Sequence, residues 1–505
     1  MTLGEILAGV RLKAPLSPQL SQIRLEGLDY DSRRVKPGFL FFAFAGSRTD
    51  GRQFAQNAVE RGAAAVVSES AAPDGFDAPW IEVEHGRQAL ALAARNFYRQ
   101  PDERIALTGI TGTNGKTTTS FLIESILRAA GKTTALVGTI EYHLAGRVLP
   151  AVNTTPESLD LNRLLADLEK EGGTHAVMEV SSHALALGRV YGLQFHTAIF
   201  TNLTRDHLDF HRTMEEYFAA KQLLFSGAGA PPPCWAVLNR DDEWCRRVAL
   251  APGTEVLWFG LGQGATVRAR HISSNLQGLR FEVHGPKVRF TVESPLLGKF
   301  NVYNILAACC GGLSYGLAAE TIAEGVAQCR AVPGRFERID EGQPFGVVVD
   351  YAHTDDALRN AIAVARGLEP KRIITLFGCG GDRDRSKRPL MGQVAAENSD
   401  LVVLTSDNPR SEDPLAIMND AVVGLQKAGA EYSMEPDRRK AIGLVLRQAT
   451  PGDIVLLAGK GHEKVQITKE GTIPFDDVEV ARENLMALGY DCKSAVKAGA
   501  AGRGT

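Results

Sequence analysis

Apolar residues along this chain fall into two kinds of pattern. Short unbroken runs predict strands covered on both faces, and stretches with apolar positions three or four apart predict amphipathic helices. Ile105 to Ile110 is a run of the first kind, and Phe121 to Leu127 is a stretch of the second. Toward the N-terminus, Phe39 to Phe44 and Ala63 to Val67 flank a helical pattern at Phe54 to Arg61. Beyond Val332, the runs Gly346 to Val349, Ile373 to Phe377, Leu401 to Leu404 and Ile454 to Leu457 alternate with helical segments. The reading is an α/β protein with three domains, over residues 1–100, 101–331 and 332–493, and a disordered tail over 494–505.

The polar residues at the ends of these runs carry the chemistry. Between the Ile105 strand and the Phe121 helix lies Thr111-Gly112-Thr113-Asn114-Gly115-Lys116-Thr117-Thr118. Glycines let backbone N–H groups converge on phosphate oxygens, the helix N-terminus adds partial positive charge, and Lys116 reaches the outer phosphates. Thr117 is placed to hold magnesium, so the chain is expected to bind ATP or GTP. The usual first glycine of such a loop is replaced by Ile110, which points to a particular subfamily.

Three further features belong to the middle domain. Glu179 ends the run Ala176-Val177-Met178, where a carboxylate suits magnesium or else pairs with a nearby Lys or Arg. Asn202 to His211 crowds ligand-capable groups after another apolar run. Lys221 shares a helix face with Tyr217, Phe218, Leu224 and Phe225. Periodicity alone favours a snorkelling side chain with its ammonium in water; the alternative is a buried functional lysine, free or chemically modified.

In the third domain each run is followed at once by polar, glycine-containing sequence. These segments are Asp350 to His353, Gly378 to Arg383, Asp407 to Arg410 and Gly459 to Glu463. Ligands of open α/β sheets bind beyond the carboxyl ends of the strands, so the four loops should gather on one rim. The Arg-rich Gly381 to Arg388 segment there could grip a zwitterionic or dicarboxylic small molecule.

Composition narrows the partners. The 56 basic and 59 acidic side chains leave a net charge of −3, which supplies no general field for nucleic acid or anionic membrane. The seven cysteines include no C-x-x-C pair, which argues against a disulfide framework and a structural zinc site and fits a reducing cytoplasm. The N-terminus has no export-signal pattern, and no apolar run is long enough to span a bilayer.

Taken in order, the motifs resemble those of the ATP-dependent Mur ligases of peptidoglycan precursor synthesis. The resemblance runs from Asp31-Ser32-Arg33 to Gly461-His462-Glu463. Between them it takes in the Gly112 loop, Asn153-Thr154-Thr155-Pro156, Glu179-Val180-Ser181-Ser182-His183 and Asp206-His207-Leu208-Asp209. Lys221, Phe300-Asn301 with Asn304, Gly334-Arg335-Phe336-Glu337 and Asp350-Tyr351-Ala352-His353 complete it. It implies a UDP-sugar-binding N-terminal domain, a central P-loop ATPase-like parallel-sheet domain and a C-terminal Rossmann-like domain for the incoming amino acid.

By that resemblance, Ser32, Asn153, Thr154, Thr155, Ser181 and Arg189 would hold UDP-N-acetylmuramoyl-L-alanyl-D-glutamate. Thr111 to Thr118, with Asn301, Arg335 and Asp350, would hold ATP. Thr117 and Glu179 would take one Mg2+, and His207 with Lys221 a second, the lysine being a carbamate in this family. That anionic form reverses the preference for snorkelling. His353 would assist near the reacting centre.

The Asp407-Asn408-Pro409-Arg410 sequence matches the family motif that accompanies meso-diaminopimelate. Arg410 and Arg383 would clasp the distal carboxylate, with Gly459 and Glu463 completing the pocket. The expected protein is a monomeric, cytoplasmic amide ligase with no nucleic acid partner and no membrane insertion. The rival readings are a lysine-adding or folylpolyglutamate-synthase-like ligase and, in another class, a P-loop NTPase switch.

Overall fold

The computed structural model describes residues 1–46 and 49–490. Ser47, Arg48 and the tail that the composition reads as disordered lie outside the described residues. By contact density the chain divides into two units. One comprises Met1–Ala269, Val283–Phe290 and Tyr303–Gly325; the other takes Arg270–Glu282, Thr291–Val302 and the chain from Val326.

The first unit holds two sheets. Gly27–Asp29, Phe39–Phe42, Ala65–Ser68 and Trp80–Glu82 pair in that order, all parallel. The strand at Phe39 stops at Phe42, short of Phe44, and the helical stretch that follows opens as a 3-10 turn, Gly51–Phe54, before Ala55–Glu60. In the second sheet Thr134–Val137, His175–Glu179, Ala106–Thr111, Thr197–Phe200, Trp235–Asn239 and Glu255–Gly260 run parallel in that spatial order.

Alternation along these strands sends Leu107, Ala176, Met178, Ala198 and Phe200 to one face. There they pack with Leu161, Leu165 and Leu168 of helix Ser158–Lys170 and with Leu224 and Phe225 of helix Met214–Ser226. The opposite positions Ile110, Val177, Ile199 and Val237 are equally buried, so both faces are covered. Each such side chain contributes about 1.5–3 kcal/mol of transfer free energy.

The first hundred residues are joined to this sheet's helices by specific contacts. The Tyr30 hydroxyl donates to Asp160 at 2.6 Å, Arg87 pairs with Glu157 at 2.6 Å, and Leu159 is buried in the N-terminal core.

The second unit is built on a six-stranded sheet. Glu337–Ile339 is antiparallel at one edge; Gly346–Asp350, Ile454–Ala458, Ile373–Phe377, Leu401–Thr405 and Tyr432–Glu435 follow, all parallel. Val348, Phe377, Leu404 and Leu456 face helices Asp355–Arg366, Lys387–Asn398 and Pro414–Lys427. Val347, Ile374, Val403 and Leu457 face Arg438–Gln448 and Asp477–Ala487. The four runs read from sequence are therefore the inner strands. Among the described residues no helix is long and apolar enough to cross a membrane, and the six described cysteines are free thiols.

One ionic clasp ties the strand next to the edge of the first unit's larger sheet to a helix. Strand Glu141–Leu144 folds back antiparallel on Thr134–Val137, and its His143 lies between Glu124, on helix Lys116–Ala129, at 2.5 Å and Glu141 at 2.9 Å. Burial alone would lower the His143 pKa, but the two carboxylate hydrogen bonds outweigh it and lift it from 6.5 to about 9.

A folded-state pKa raised in this way adds stability that is fully present below about 6.5 and is lost as pH rises through about 9. We expect His143→Gln to lower the melting temperature most below the first value, with the gap to wild type closing above the second. A pH-independent difference in calorimetry would show that the clasp works through shape alone.

Candidate active site

Strand Ala106–Thr111 delivers the chain into the glycine-rich loop, and helix Lys116–Ala129 leaves it. Ile110 stands at the missing-glycine position because it is still strand, paired with both Glu179 and Ile199 and fully buried. The loop proper is short, and its two glycines are required. Gly112 has φ +143° and a Cβ there would lie 2.0 Å from Thr201 Oγ1; Gly115 has φ +86° and a Cβ would lie 2.2 Å from Asn304 Oδ1. Asn202 braces the turn, its carbonyl accepting from the Thr113 amide at 2.9 Å and its Oδ1 from the Asn114 amide at 3.0 Å.

Two lysines converge on one carbonyl of this loop. Lys116 donates to Gly112 O at 3.0 Å and Thr113 O at 2.8 Å, and Lys221 donates to Gly112 O at 2.9 Å. Lys221 is only 1% exposed, on a helix capped by Thr213 and ended by Gly227 at φ +81°. Its ammonium position sits over the Tyr217 ring at 4.5 Å, and the Tyr217 hydroxyl meets Thr113 Oγ1 at 3.2 Å.

The snorkelling arrangement that periodicity alone favours is therefore wrong, because the helix turns Tyr217, Ala220, Lys221, Leu224 and Phe225 together toward the protein. Burial, reinforced by the charge of Lys116, holds the Lys221 pKa well below 10.5. The shift favours the neutral amine over the ammonium.

Glu179, 1% exposed, ends its strand beside this loop. Its carboxylate accepts from the Thr117 hydroxyl at 3.1 Å, the Thr139 amide at 2.8 Å and the Thr139 hydroxyl at 3.1 Å. These partners are neutral, in contrast to the Lys or Arg pairing weighed from sequence. Such a hard-oxygen donor set fits Mg2+. Among the described residues no three His, Cys, Asp or Glu side chains form a metal-holding group.

Four of the six expected substrate residues, Thr154, Thr155, Ser181 and Arg189, form one hydrogen-bonded network with Glu179. Thr154 Oγ1 meets Thr139 Oγ1 at 3.0 Å; Thr155 Oγ1 donates to Glu179 O at 2.9 Å and accepts from the Ser181 amide at 3.1 Å. Arg189 donates to Thr155 O at 2.9 Å and to Glu157 at 3.1 Å, and the Tyr142 hydroxyl bonds the backbone of Asn153. Ser32 opens a short 3-10 turn just after Tyr30 and is 6% exposed.

His207 stands at φ +52° on the rim of the loop, with Asp206 at 3.5 Å and the His183 ring at 4.9 Å. His211, buried, bonds Ser182 Oγ at 2.9 Å and packs on Tyr217 at 5.2 Å between centroids. Asn202 and His211 lie inside the polar cluster legible in the sequence; Thr139 carries no sequence signal.

In the second unit the four loops do gather on one rim. A Cβ on Gly461 would meet Tyr351 Cα at 2.8 Å, the Gly381 amide donates to Asn408 O at 2.9 Å, and Asn408 Nδ2 donates to Glu463 at 2.7 Å. Asp350 accepts from the Phe336 amide at 2.8 Å, and Arg335 lies over the Tyr351 ring at 5.3 Å. Burial pushes the Asp350 carboxyl up to about 6 against the pull of Arg335 and the neighbouring amides. Asn301 turns its amide to Leu297 O at 2.8 Å. The exposed His353 donates from its Nδ1 to Tyr351 O, 2.9 Å away.

The basic loop divides into two groups. Arg388 is fully buried between Glu412 and Asp420, Arg385 also pairs with Asp420, and Lys387 donates to His353 O at 2.9 Å. Arg383 keeps an exposed side chain beside Gly380, and a Cβ on Gly380 would meet both Arg410, at 3.0 Å, and Arg383, at 3.8 Å. Pro409 lies so close to Gly381 that a Cβ there would be 1.9 Å from its carbonyl. Asp407 is buried against Gly459 at φ +114°, and burial raises its pKa despite Arg438 and Lys460.

Known proteins carry the same sequence organisation. The model of the Mur ligase middle domain matches residues 110–311, that of the Mur ligase glutamate ligase domain residues 334–461, and that of the Mur ligase family catalytic domain residues 24–98. A relative from Solibacter usitatus (strain Ellin6076), named UDP-N-acetylmuramoyl-L-alanyl-D-glutamate--2,6-diaminopimelate ligase, is 67% identical over 490 residues, 97% of this chain and 99% of its own. One of the same name from Geobacillus thermodenitrificans (strain NG80-2) is 47% identical over 462 residues, 90% of this chain and 94% of its own. A solved structure with that name superposes at a TM-score of 0.73 with 34% identity, covering 97% of this chain and 99% of that one. Matched by these models and by relatives over nearly its whole length, the chain belongs to the Mur ligase family.

Proposed function

We propose that the protein joins meso-2,6-diaminopimelate to the D-glutamyl γ-carboxylate of UDP-N-acetylmuramoyl-L-alanyl-D-glutamate at the expense of ATP, as a monomer in the cytoplasm. The observation that carries the amino-acid assignment is the Asp407–Arg410 loop, whose Arg410 approaches Gly380 beside Arg383 while Asn408 holds Glu463. Two guanidinium groups suit a distal carboxylate and an acid suits an ammonium, which together describe a diamino dicarboxylic acid rather than lysine. The names of the near-full-length relatives agree with that assignment.

In this reading residues 1–100 bind the UDP-sugar, 101–331 bind ATP and 332–493 receive the amino acid. The Thr111 to Thr118 loop holds the ATP phosphates, with Lys116 exchanging its loop carbonyls for phosphate oxygen, and Asn301, Arg335 and Asp350 serve the same nucleotide. Ser32, Asn153, Thr154, Thr155, Ser181 and Arg189 orient the UDP-muramoyl dipeptide. Thr117 and Glu179 would hold one Mg2+, and His207 with the Lys221 carbamate another. Magnesium, when bound, supplies neutralising charge at the transferring phosphoryl group.

The γ-carboxylate oxygen attacks the terminal phosphorus of ATP and ADP departs, leaving an acyl phosphate. The diaminopimelate amine then attacks the acyl carbon, phosphate leaves, and the nitrogen sheds a proton as the amide forms. His353 lies on the rim where that amine arrives. The neutral Lys221 amine gains its carbamate by attacking CO2 and releasing one proton, which its depressed pKa favours.

Ligation assays with ATP, magnesium and the UDP-dipeptide should give tripeptide product with meso-diaminopimelate and none with L-lysine. Product with lysine would point to a lysine-adding ligase, and ATP turnover without product to an NTPase switch. Arg410→Ala should lower the preference for diaminopimelate over lysine by about 100-fold; an unchanged preference would remove Arg410 from the pocket.

With 13C-labelled bicarbonate, wild type should show a carbamate resonance that is absent from Lys221→Met, and that variant should lose at least about 100-fold in turnover. Wild-type turnover in Lys221→Met would refute the carbamate assignment.

A further inference from the structure

The second unit contains a lysine that no step above uses. Lys460 is 0% exposed, yet its ammonium meets acceptors from three segments: Val465 O at 2.6 Å, the Glu463 carboxylate at 3.1 Å and Asn408 Oδ1 at 3.3 Å. An ammonium has three N–H donors, and here each has an acceptor.

Asn408 is consequently held at both ends. Its Oδ1 accepts from Lys460 and from the Ile467 amide at 2.9 Å, and its Nδ2 donates to Glu463 at 2.7 Å. Strand Val465–Thr468 adds two more ties to the same loop, from the Gln466 side chain to Asp407 O at 2.7 Å and from the Arg410 amide to Ile467 O at 2.9 Å. Arg410 needs such ties because its backbone sits at φ +54°, a conformation that costs a non-glycine residue free energy.

We infer that Lys460 is a positioning residue for amino-acid selection. Its buried ammonium fixes Glu463 and Asn408, and through them the Asp407–Arg410 loop and the Val465–Thr468 strand, in the one arrangement that presents Arg410 and Glu463 together. The inference rests on the reading of this rim as the diaminopimelate pocket. A lysine that only filled the core would affect folding, or all substrates alike, whereas this one acts on a single substrate.

The test is steady-state kinetics on Lys460→Met, which keeps most of the stem's volume and removes the three donors. Expected is a rise of about 10-fold or more in KM for meso-diaminopimelate and a comparable fall in its advantage over L-lysine. The KM values for ATP and the UDP-dipeptide should stay within about twofold. Gln466→Leu, which leaves the buried ion pair in place and cuts only the tie to Asp407 O, should give a smaller shift in the same direction.

Unchanged diaminopimelate KM and selectivity in folded Lys460→Met would overturn the inference, as would an equal rise in all three KM values. If Lys460→Met does not fold, an unaltered diaminopimelate KM and selectivity in Lys460→Gln, which removes the charge and keeps a polar side chain, overturns it. Wild type that accepts lysine as readily as diaminopimelate takes down the pocket reading and the inference together; a selective wild type with an equally selective Lys460→Met sinks the inference alone.

Discussion

A lysine withdrawn from water must find an anion, give up its proton or be chemically converted, and much of this protein's chemistry follows from how two lysines meet that constraint. Lys221 has carbonyl and aromatic neighbours and a second lysine nearby, so burial drives its pKa down. Lys460 is equally buried but has the Glu463 carboxylate at 3.1 Å. The first environment disfavours the charged form, and the second ties the ammonium to a carboxylate. The difference lies in the partners alone, since both side chains are almost wholly excluded from solvent.

Parallel sheets supply the frame on which such partners can be arranged. Strands covered on both faces leave only their ends for polar groups, and in both units those groups sit at the carboxyl ends. Thr111, Glu179 and Thr201 close one set of strands; Asp350, Asp407 and Gly459 close the other. Glycines leave room that a Cβ would fill, for the Thr201, Asn304 and Asp407 side chains at Gly112, Gly115 and Gly459 and for the Pro409 carbonyl at Gly381. The sites are thus built from main chain as much as from side chains, and their precision derives from the packed sheets beneath.

Much of this was legible in the chain. The four inner strands of the second unit, the glycine-rich turn and the polar loops after each strand follow from local pattern, because strand and helix periods and glycine requirements are local properties. The motif order sufficed to indicate the Mur ligase family before any geometry was known. Thr139, by contrast, has no distinguishing neighbourhood, and it contacts Glu179 only because the sheet brings two distant segments together. The charged loop at Gly381 to Arg388 reads as uniform in sequence. Tertiary contacts with Glu412 and Asp420 separate the structural Arg385 and Arg388 from the exposed Arg383.

Sequence by itself determined the element order, the helix face on which Lys221 lies and the residue types available at every strand end. Only the tertiary structure decided that this face turns inward, that Glu179 is met by hydroxyls and an amide, and that Lys460 joins Asn408 to Glu463. Periodicity specifies which side chains lie together on an element. Whether water or protein covers that face is a sum over contacts far apart in the chain, and it is this sum that sets the charge and the reactivity of each group.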